Sequence, residues 1–188
     1  MNSTEARLVH TSELPSTAWK NGAGATTEIA AGPICGGRPL WRFSIAALTA
    51  GSTRFSSFPE IDRVFTVIGE HGVRLDFSTG SLDAEPSAPT SFRGEDVPVC
   101  TPGGDTAAFN VMVDRTRASA GVVVHDLSDG SLTIEGGAIT AVYVLSGSAR
   151  AGSIEMAAGH CLLAAGNTTS MAGDAQILVA RITPNNAG

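Results

Sequence analysis

The feature of this sequence that most restricts its fold is a succession of short segments in which apolar and polar side chains alternate. Glycine-containing turns separate these segments about every eight to twelve residues. Alternation with a period of two places successive side chains on opposite faces of an extended chain, so it is typical of β-strands. No stretch has the spacing of a convincing amphipathic helix. The pattern therefore predicts an all-β protein, built as a sandwich or a barrel.

Two predicted strands carry polar side chains on one face. In 40–48, Trp41 and Phe43 fall on one face, and Arg42 and Ser44 fall on the other. The polar face of this strand lies either in solvent or against an interior. A second alternating strand, over 107–115, places Asn110 on the face opposite Phe109.

The rest of the chain continues the pattern. Strands are predicted over 64–68 and 71–77, arranged as a hairpin, and 78–91 is predicted to be an exposed loop with at most one short strand. Apolar strands that end in glycine occur at 64–69 and again at 142–147, which suggests an internal repeat. The later predicted strands are 122–127, 131–134, 138–145, 148–151, 160–164 and 176–182.

Charge and cysteine content exclude several classes of function. The chain has 188 residues, a net charge of -6 and a pI of about 5.1, so we expect neither nucleic-acid nor membrane binding. Residues 1–17 contain no apolar signal segment, and no apolar run is long enough for a membrane helix. The three cysteines, Cys35, Cys100 and Cys161, form neither a metal motif nor a disulfide framework, which favours a reduced, cytoplasmic setting.

A polar, glycine-containing stretch near the start of the chain stands out. It contains the only lysine of the chain, Lys20, between an aromatic and an amide side chain. Asn21-Gly22 is a turn signal, and the residues that follow Gly24 begin a strand. The stretch is Trp19-Lys20-Asn21-Gly22-Ala23-Gly24-Ala25-Thr26-Thr27-Glu28-Ile29.

This stretch resembles the signature of the HutD/Ves family, whose usual form is W-K-N-G-G-G-x-T-R-E-I. Ala23 stands in place of the middle glycine and Thr27 in place of the usual arginine. Further motifs extend the resemblance over most of the chain: Trp41-Arg42-Phe43-Ser44, Phe58-Pro59-x-x-Asp62-Arg63 and Phe109-Asn110-x-Met112-x-x-Arg115.

The resemblance implies a bicupin fold, in which two cupin-type β-barrels are fused in one chain. We expect 1–188 to form one such unit, with an N-terminal cupin over 1–116 that carries the pocket and a C-terminal cupin over 117–188. The family is associated with histidine utilisation, which implies a regulatory role through a pathway acid such as N-formylglutamate or urocanate. The oligomeric state is left open, a homodimer included.

The candidate binding residues are cations, amides, a hydroxyl, carboxylates and aromatic side chains suited to a small carboxylate. Arginine presents a planar fork that matches a carboxylate, and Glu28 or Asp62 would pair with the arginines or accept an N–H from the ligand. The alternative for both acidic residues is a structural ion pair. Phe109 is a further candidate for the pocket wall. The predicted ligand-binding residues are Trp19, Lys20, Asn21, Glu28, Arg42, Ser44, Phe58, Asp62, Arg63 and Asn110.

No metal or cofactor is predicted. Metal-dependent cupins use an H-x-H pair with a carboxylate and a later histidine, whereas His10, His71, His125 and His160 are far apart. The sequence also lacks a nucleophile elbow, a P-loop and a dinucleotide fingerprint, so no catalytic residue is predicted.

Two other functions remain open at this point. One is a metal-free or atypical cupin enzyme, such as an isomerase or hydrolase, that acts on a small polar acid. The other is a stress-related protein that acts through a protein partner, as the Ves branch of the family suggests.

Overall fold

The computed structural model describes residues 6–128, 130–135, 139–166 and 168–185. These residues form β-strands and one 3₁₀ turn, Thr11–Glu13, and none of them lies in an α-helix. Accordingly, no described segment is a helix long and apolar enough to span a membrane. The all-β prediction is confirmed.

The strands are short in the first half of the chain and longer in the second. They are β1 (Arg7–His10), β2 (Ser16–Ala18), β3 (Gly24–Ala31), β4 (Ile34–Cys35), β5 (Arg38–Pro39), β6 (Trp41–Leu48), β7 (Thr53–Arg54), β8 (Ile61–Val67), β9 (Val73–Phe77), β10 (Gly80–Ala84), β11 (Thr90–Arg93), β12 (Val99–Pro102), β13 (Thr106–Asp114), β14 (Ala118–Asp126), β15 (Gly130–Ile134), β16 (Ile139–Ala151), β17 (Ile154–Ala157), β18 (His160–Ala165) and β19 (Thr169–Pro184).

The chain divides into two compact units. The first consists of Pro15–Ala120 and contains a six-stranded sheet of order β11-β8-β13-β6-β3-β2 and a four-stranded sheet of order β10-β9-β12-β7. The inner faces of these strands supply a buried cluster that includes Leu48, Phe65, Val67 and Leu75. We call this unit the central unit.

The second unit consists of Met1–Leu14 together with Gly121–Gly188, and we call it the terminal unit. Its sheet has the order β1-β18-β16-β19-β14, with β15 paired to β19 and β17 paired to β16. The core of this unit is apolar, and Leu162, Met171 and Ile177 are completely buried in it.

The long strands of the terminal unit differ from the prediction. Strand β16 is continuous over the two segments predicted as 138–145 and 148–151, and a register shift between Val144 and Ser146 replaces the expected turn. Gly147 has a φ of 77°, which lets the strand bend there without ending. Ala138, the first residue of the predicted segment, lies outside the described residues.

The predicted hairpin over 64–77 is wrong. Strand β8 begins at Ile61 and belongs to the six-stranded sheet, whereas β9 belongs to the four-stranded sheet. The connection turns at Gly69, whose backbone lies so close to Thr106 that a Cβ would stand 2.5 Å from the Thr106 hydroxyl. The predicted exposed loop over 78–91 contains β10 and the start of β11, so it adds a strand to each sheet.

Candidate functional site

A cavity of about 410 Å³ opens in the central unit, on the face of the six-stranded sheet that carries Arg42 and Arg63. Eight of the ten predicted binding residues line it. They are Trp19, Lys20, Asn21, Arg42, Ser44, Phe58, Arg63 and Asn110. The polar face of β6 therefore lines an interior and not open solvent.

Strand pairing explains why these side chains meet. Met112 of β13 is in register with Arg42 of β6 on one side and with Arg63 of β8 on the other. Two residues further along, Asn110 pairs with Ser44. Residues in register on neighbouring strands share a face, so Arg42 and Arg63 flank Met112 in one row, and Ser44 and Asn110 lie side by side in the next.

Arg63 is the most deeply buried of the cavity's cations, with 7% of its surface exposed. One of its terminal nitrogens donates to Oδ1 of Asn110 at 2.9 Å, and the guanidinium lies over the rings of Phe55 and Phe92, at 4.6 and 5.0 Å. Burial and, to a smaller extent, the nearby charge of Arg42 lower the pKa of Arg63 to about 10. The group stays charged at neutral pH.

The cavity contains an excess of positive charge. Its lining residues include Lys20, Arg42, Arg54 and Arg63, and none of the described lining residues is Asp or Glu. The buried Nε groups of Arg42 and Arg63 have no hydrogen-bond partner among the residues that the structure describes. Because buried charges are normally paired, this arrangement is electrostatically suited to an anion that brings its own acceptor oxygens.

The signature stretch forms a tight hairpin loop that joins β2 to β3. Trp19 N–H donates to Gly24 O at 2.8 Å, and Gly22 N–H donates to Trp19 O at 3.0 Å. The Trp19 indole N–H donates to the Thr26 hydroxyl at 2.8 Å, and the indole ring covers Gly24. A Cβ at Gly24 would lie 2.3 Å from Ala47 O, so only glycine fits there.

Asn21 connects this loop to β7 of the four-stranded sheet. Its Nδ2 donates to the Thr53 hydroxyl at 2.7 Å, and its Oδ1 accepts from Ala23 N–H at 3.1 Å. Both ends of the amide are thus engaged within the protein, which gives Asn21 a positioning role. Lys20, which precedes Asn21 in the chain, is exposed and is one of the residues that line the cavity.

The two departures from the family signature have simple structural accounts. Ala23 is not among the described residues with positive φ, so its Cβ causes no backbone strain. Thr27 does not line the cavity, whereas its neighbour Thr26 does, because consecutive residues of β3 face opposite ways. Neither change alters the cavity wall.

Glu28 and Asp62 lie outside the cavity, unlike the other predicted residues. Glu28 is exposed, at a register shift between Glu28 and Ala30 of β3. Asp62 is on the face of β8 opposite Arg63 and pairs with Arg115 at 2.7 Å. Phe109 likewise lies away from the cavity, buried against Phe43 with ring centroids 6.2 Å apart.

Sequence reasoning missed several lining residues. Arg54, Phe55 and Ser56 contribute from the segment that begins at β7, and Met112 contributes from β13. The spacing of two between Asn110 and Met112 was a usable signal for Met112. No comparable signal marked Arg54, because its two-residue strand is too short to show alternation.

A metal site is not evident in the described part of the chain. No group of three or more His, Cys, Asp and Glu side chains there is arranged to hold an ion. His10 and His160 are neighbours, with ring centroids 4.2 Å apart, but they belong to the terminal unit. The His160 Nδ1 accepts from Ala157 N–H at 3.3 Å.

Comparison with solved structures first defines the class. The cupin 2 conserved barrel domain protein from Leptotrichia buccalis superposes with a TM-score of 0.62, covering 97% of this chain and 98% of that one at 8% identity. An identity this low concerns the fold alone. The molecule is thus an all-β protein with cupin-type structural relatives and a cationic cavity.

The family follows from closer relatives. The HutD family model matches residues 11–180. Protein Ves from Citrobacter koseri is 33% identical over 138 residues, covering 72% of this chain and 70% of that protein. The structure of HutD from Pseudomonas fluorescens SBW25 superposes with a TM-score of 0.85 at 26% identity, covering 97% of this chain and 100% of that one. The chain belongs to the HutD family, which is linked to histidine utilisation.

Proposed function

We propose that this protein binds a small carboxylic acid of the histidine-utilisation pathway and serves to regulate that pathway without catalysing a reaction. The observation that carries the proposal is the burial of Arg63 next to Arg42 without a carboxylate partner among the described residues. A buried, unpaired guanidinium costs free energy of folding. Such a cost is readily explained by a ligand that supplies the missing negative charge.

The geometry suggests how the acid is held. Arg42 and Arg63 flank Met112 and receive one carboxylate, while Ser44 and Asn110 fix its orientation from the next row. Lys20 and Arg54 are exposed and suit a second acidic group nearer the solvent. N-formylglutamate has two carboxylates and urocanate has one, so this distribution of cations favours N-formylglutamate.

Binding is favoured over catalysis by the chemistry of the lining. No described lining residue is Asp, Glu, His or Cys, so the hydroxyls of Ser44 and Ser56 have no carboxylate or imidazole in the lining to activate them as nucleophiles. Lys20 is exposed and therefore lacks the burial that activates a lysine amine. We assign no catalytic role to any residue.

The proposal includes an architecture and a location. We infer that the central and terminal units are the two cupins of a bicupin, which moves the predicted boundary at 116/117 to near residue 120 and adds the first strand to the C-terminal cupin.

Cys100 and Cys161 are free and buried, which is consistent with a reduced, cytoplasmic setting. One chain suffices for the site, so the proposal does not require a homodimer.

Titration calorimetry with N-formylglutamate, urocanate and glutamate tests the proposal. Arg63→Met keeps the packing on Phe55 but removes the charge, and it should weaken acid binding at least tenfold, since a hydrogen bond to a charged group contributes about 1.5–3 kcal/mol. Arg93→Met is the matched control, because Arg93 is exposed and does not line the cavity. Equal affinities of wild type and Arg63→Met would refute the proposal.

A further inference from the structure

A second, smaller cavity of about 110 Å³ adjoins the cationic one. The two share Arg42, Phe58 and Met112 as lining residues, so these side chains lie at the boundary between them. Pro39, Trp41 and Ile61 contribute the rest of the apolar wall. We call this space the side cavity; it lies within the central unit.

The side cavity offers apolar surface and no uncommitted charge of its own. Its one other lining residue is Arg38, whose guanidinium is held by Glu60 at 2.9 Å, by Asp114 at 3.1 Å and by Pro59 O at 2.8 Å. Trp41 and Ile61 are buried. A hydrocarbon group gains free energy by entering such a space, whereas a charged group loses its hydration there.

Met112 lies at the boundary between the two cavities, where it would block a passage from one to the other. One terminal nitrogen of Arg42 donates to the Met112 sulfur at 3.0 Å, and the thioether lies in register between the two arginines. A thioether is a weak acceptor, so a carboxylate replaces it readily as the partner of Arg42. Once released, the flexible methionine side chain can rotate away from the passage.

We propose that the site also accepts monocarboxylic acids with a short hydrocarbon tail, which pass their tail beyond Met112 into the side cavity while Arg42 and Arg63 hold the carboxylate. An apolar cavity of about 150 Å³ takes up benzene, so 110 Å³ corresponds to a tail of about four carbon atoms. This inference rests on the proposed binding of carboxylates by the same two arginines. It adds tailed monocarboxylic acids to the proposed ligands, a class distinct from dicarboxylates such as N-formylglutamate.

The test is an NMR titration with the linear acids from acetate to heptanoate at constant ionic strength. Wild-type affinity should rise roughly fourfold with each added CH₂ up to about pentanoate and then level off, as expected for burying one methylene at a time. An affinity that stays flat or falls along the series would overturn the inference.

Two substitutions at Ile61 make the test specific to the side cavity, because Ile61 does not line the cationic cavity. Ile61→Phe fills the space and should lower the affinity for pentanoate relative to acetate at least fivefold. Ile61→Val enlarges the space and should shift the chain length that binds best upward. Because it is a smaller change, it serves as the test if Ile61→Phe does not fold. Unchanged relative affinities in a folded variant would contradict the assignment.

The outcomes also separate this inference from the function on which it rests. If neither N-formylglutamate nor any acid of the series binds, the proposed function fails together with the inference. If acetate and N-formylglutamate bind in an Arg63-dependent manner but chain length has no effect, the side cavity alone is ruled out as a binding site.

Discussion

Arg63 is a buried charged residue without a carboxylate partner among the described residues. The guanidinium gives up its hydration and obtains one hydrogen bond to Asn110 and two aromatic contacts in return. Burial lowers its pKa to about 10, which means that the folded protein disfavours the charged form. Under the proposed function, a bound acid would supply the negative charge that offsets this cost.

We therefore expect Arg63→Met to be more stable than the wild type in the absence of ligand. The desolvation cost of the charge, several kcal/mol, outweighs cation–π contacts of about 0.5–2 kcal/mol each, so the free energy of unfolding should rise by roughly 1 kcal/mol. Thermal unfolding should show a midpoint about 2–4 °C higher. Arg93→Met should change little, and a clear loss of stability in Arg63→Met would show that the charge is compensated.

The glycines of the signature loop are not equivalent. Gly24→Ala should destabilise the protein by about 2 kcal/mol, because its Cβ would collide with Ala47 O and with the Trp19 ring. Ala23→Gly, which restores the usual family residue, should cost only about 0.5–1 kcal/mol through the added entropy of the unfolded chain. Urea unfolding of both variants measures the difference, and equal losses would contradict this account of the loop.

At the residue level, the cavity-lining residues that could be predicted were those that belong to a sequence motif or to an alternating strand pattern. Arg42 and Ser44 followed from the alternation in β6, and Trp19 and Lys20 from the family signature. The motif that spans Asp62-Arg63 does not reveal that the two side chains face opposite ways in β8, and Asp62 forms the kind of ion pair that the sequence left open as its alternative role.

At the level of elements, the start of β8 is held by two arginine clusters. Arg115 contacts Asp62 at 2.7 Å, donates to Ile61 O at 2.7 Å and forms a two-point contact with Glu95 at 2.7 and 2.8 Å. Arg38 joins Glu60 to Asp114 on the neighbouring strand. These contacts fix the strand that delivers Arg63 to the cavity.

The Arg115 cluster predicts a particular dependence of stability on pH. Hydrogen bonds from Arg115 lower the pKa of Glu95 from 4.5 to about 2, so the contact stabilises the fold above about pH 4.5 and is lost as the pH falls toward 2. The stability difference between wild type and Arg115→Met should be largest at neutral pH and shrink across this window. Urea unfolding from pH 7 to 2 measures it. A difference that does not vary with pH would exclude Glu95 as the important partner.

Strand bounds were predicted well where the alternation of apolar and polar residues extends over eight or nine positions. The pairing of strands was predicted poorly where it depends on the connection between them. Strands β6 and β13 were found within one residue at each end, because eight or nine alternating residues define a face. The hairpin over 64–77 failed because a glycine after an apolar strand permits a crossing between sheets as readily as a reversal. Pairing partners depend on distant residues, which local periodicity does not report.

At the scale of the whole molecule, the two units differ in what fills their interiors. The terminal unit fills the space between its strands with apolar side chains such as Leu162 and Met171, whereas the central unit leaves a cationic cavity on its inner face. The net charge of the chain is -6. Positive charge is therefore concentrated where a small acid can reach it, while the overall charge disfavours large polyanions.

This division predicts where a ligand will slow hydrogen exchange. Saturating N-formylglutamate should protect amides in peptides from the central unit that contain β3, β6, β8 and β13, because a ligand that binds only the folded site makes local opening of these strands less favourable. Peptides from β16 and β19 of the terminal unit should exchange as before. Mass spectrometry with and without ligand measures this, Arg63→Met serves as the control, and protection confined to the terminal unit would place the site elsewhere.

The hydrogen-bonded loop from Trp19 to Gly24 bears on how fast a ligand would bind and leave. Its backbone hydrogen bonds, the Trp19–Thr26 contact and the Asn21–Thr53 contact shape the cavity rim before any ligand arrives. Association with a rim that is already formed need not wait for a conformational change, and release requires no opening step. We expect the fraction of occupied sites to equilibrate rapidly with the surrounding concentration of acid. Such a protein would report changes in that concentration and would not retain the acid after the concentration falls.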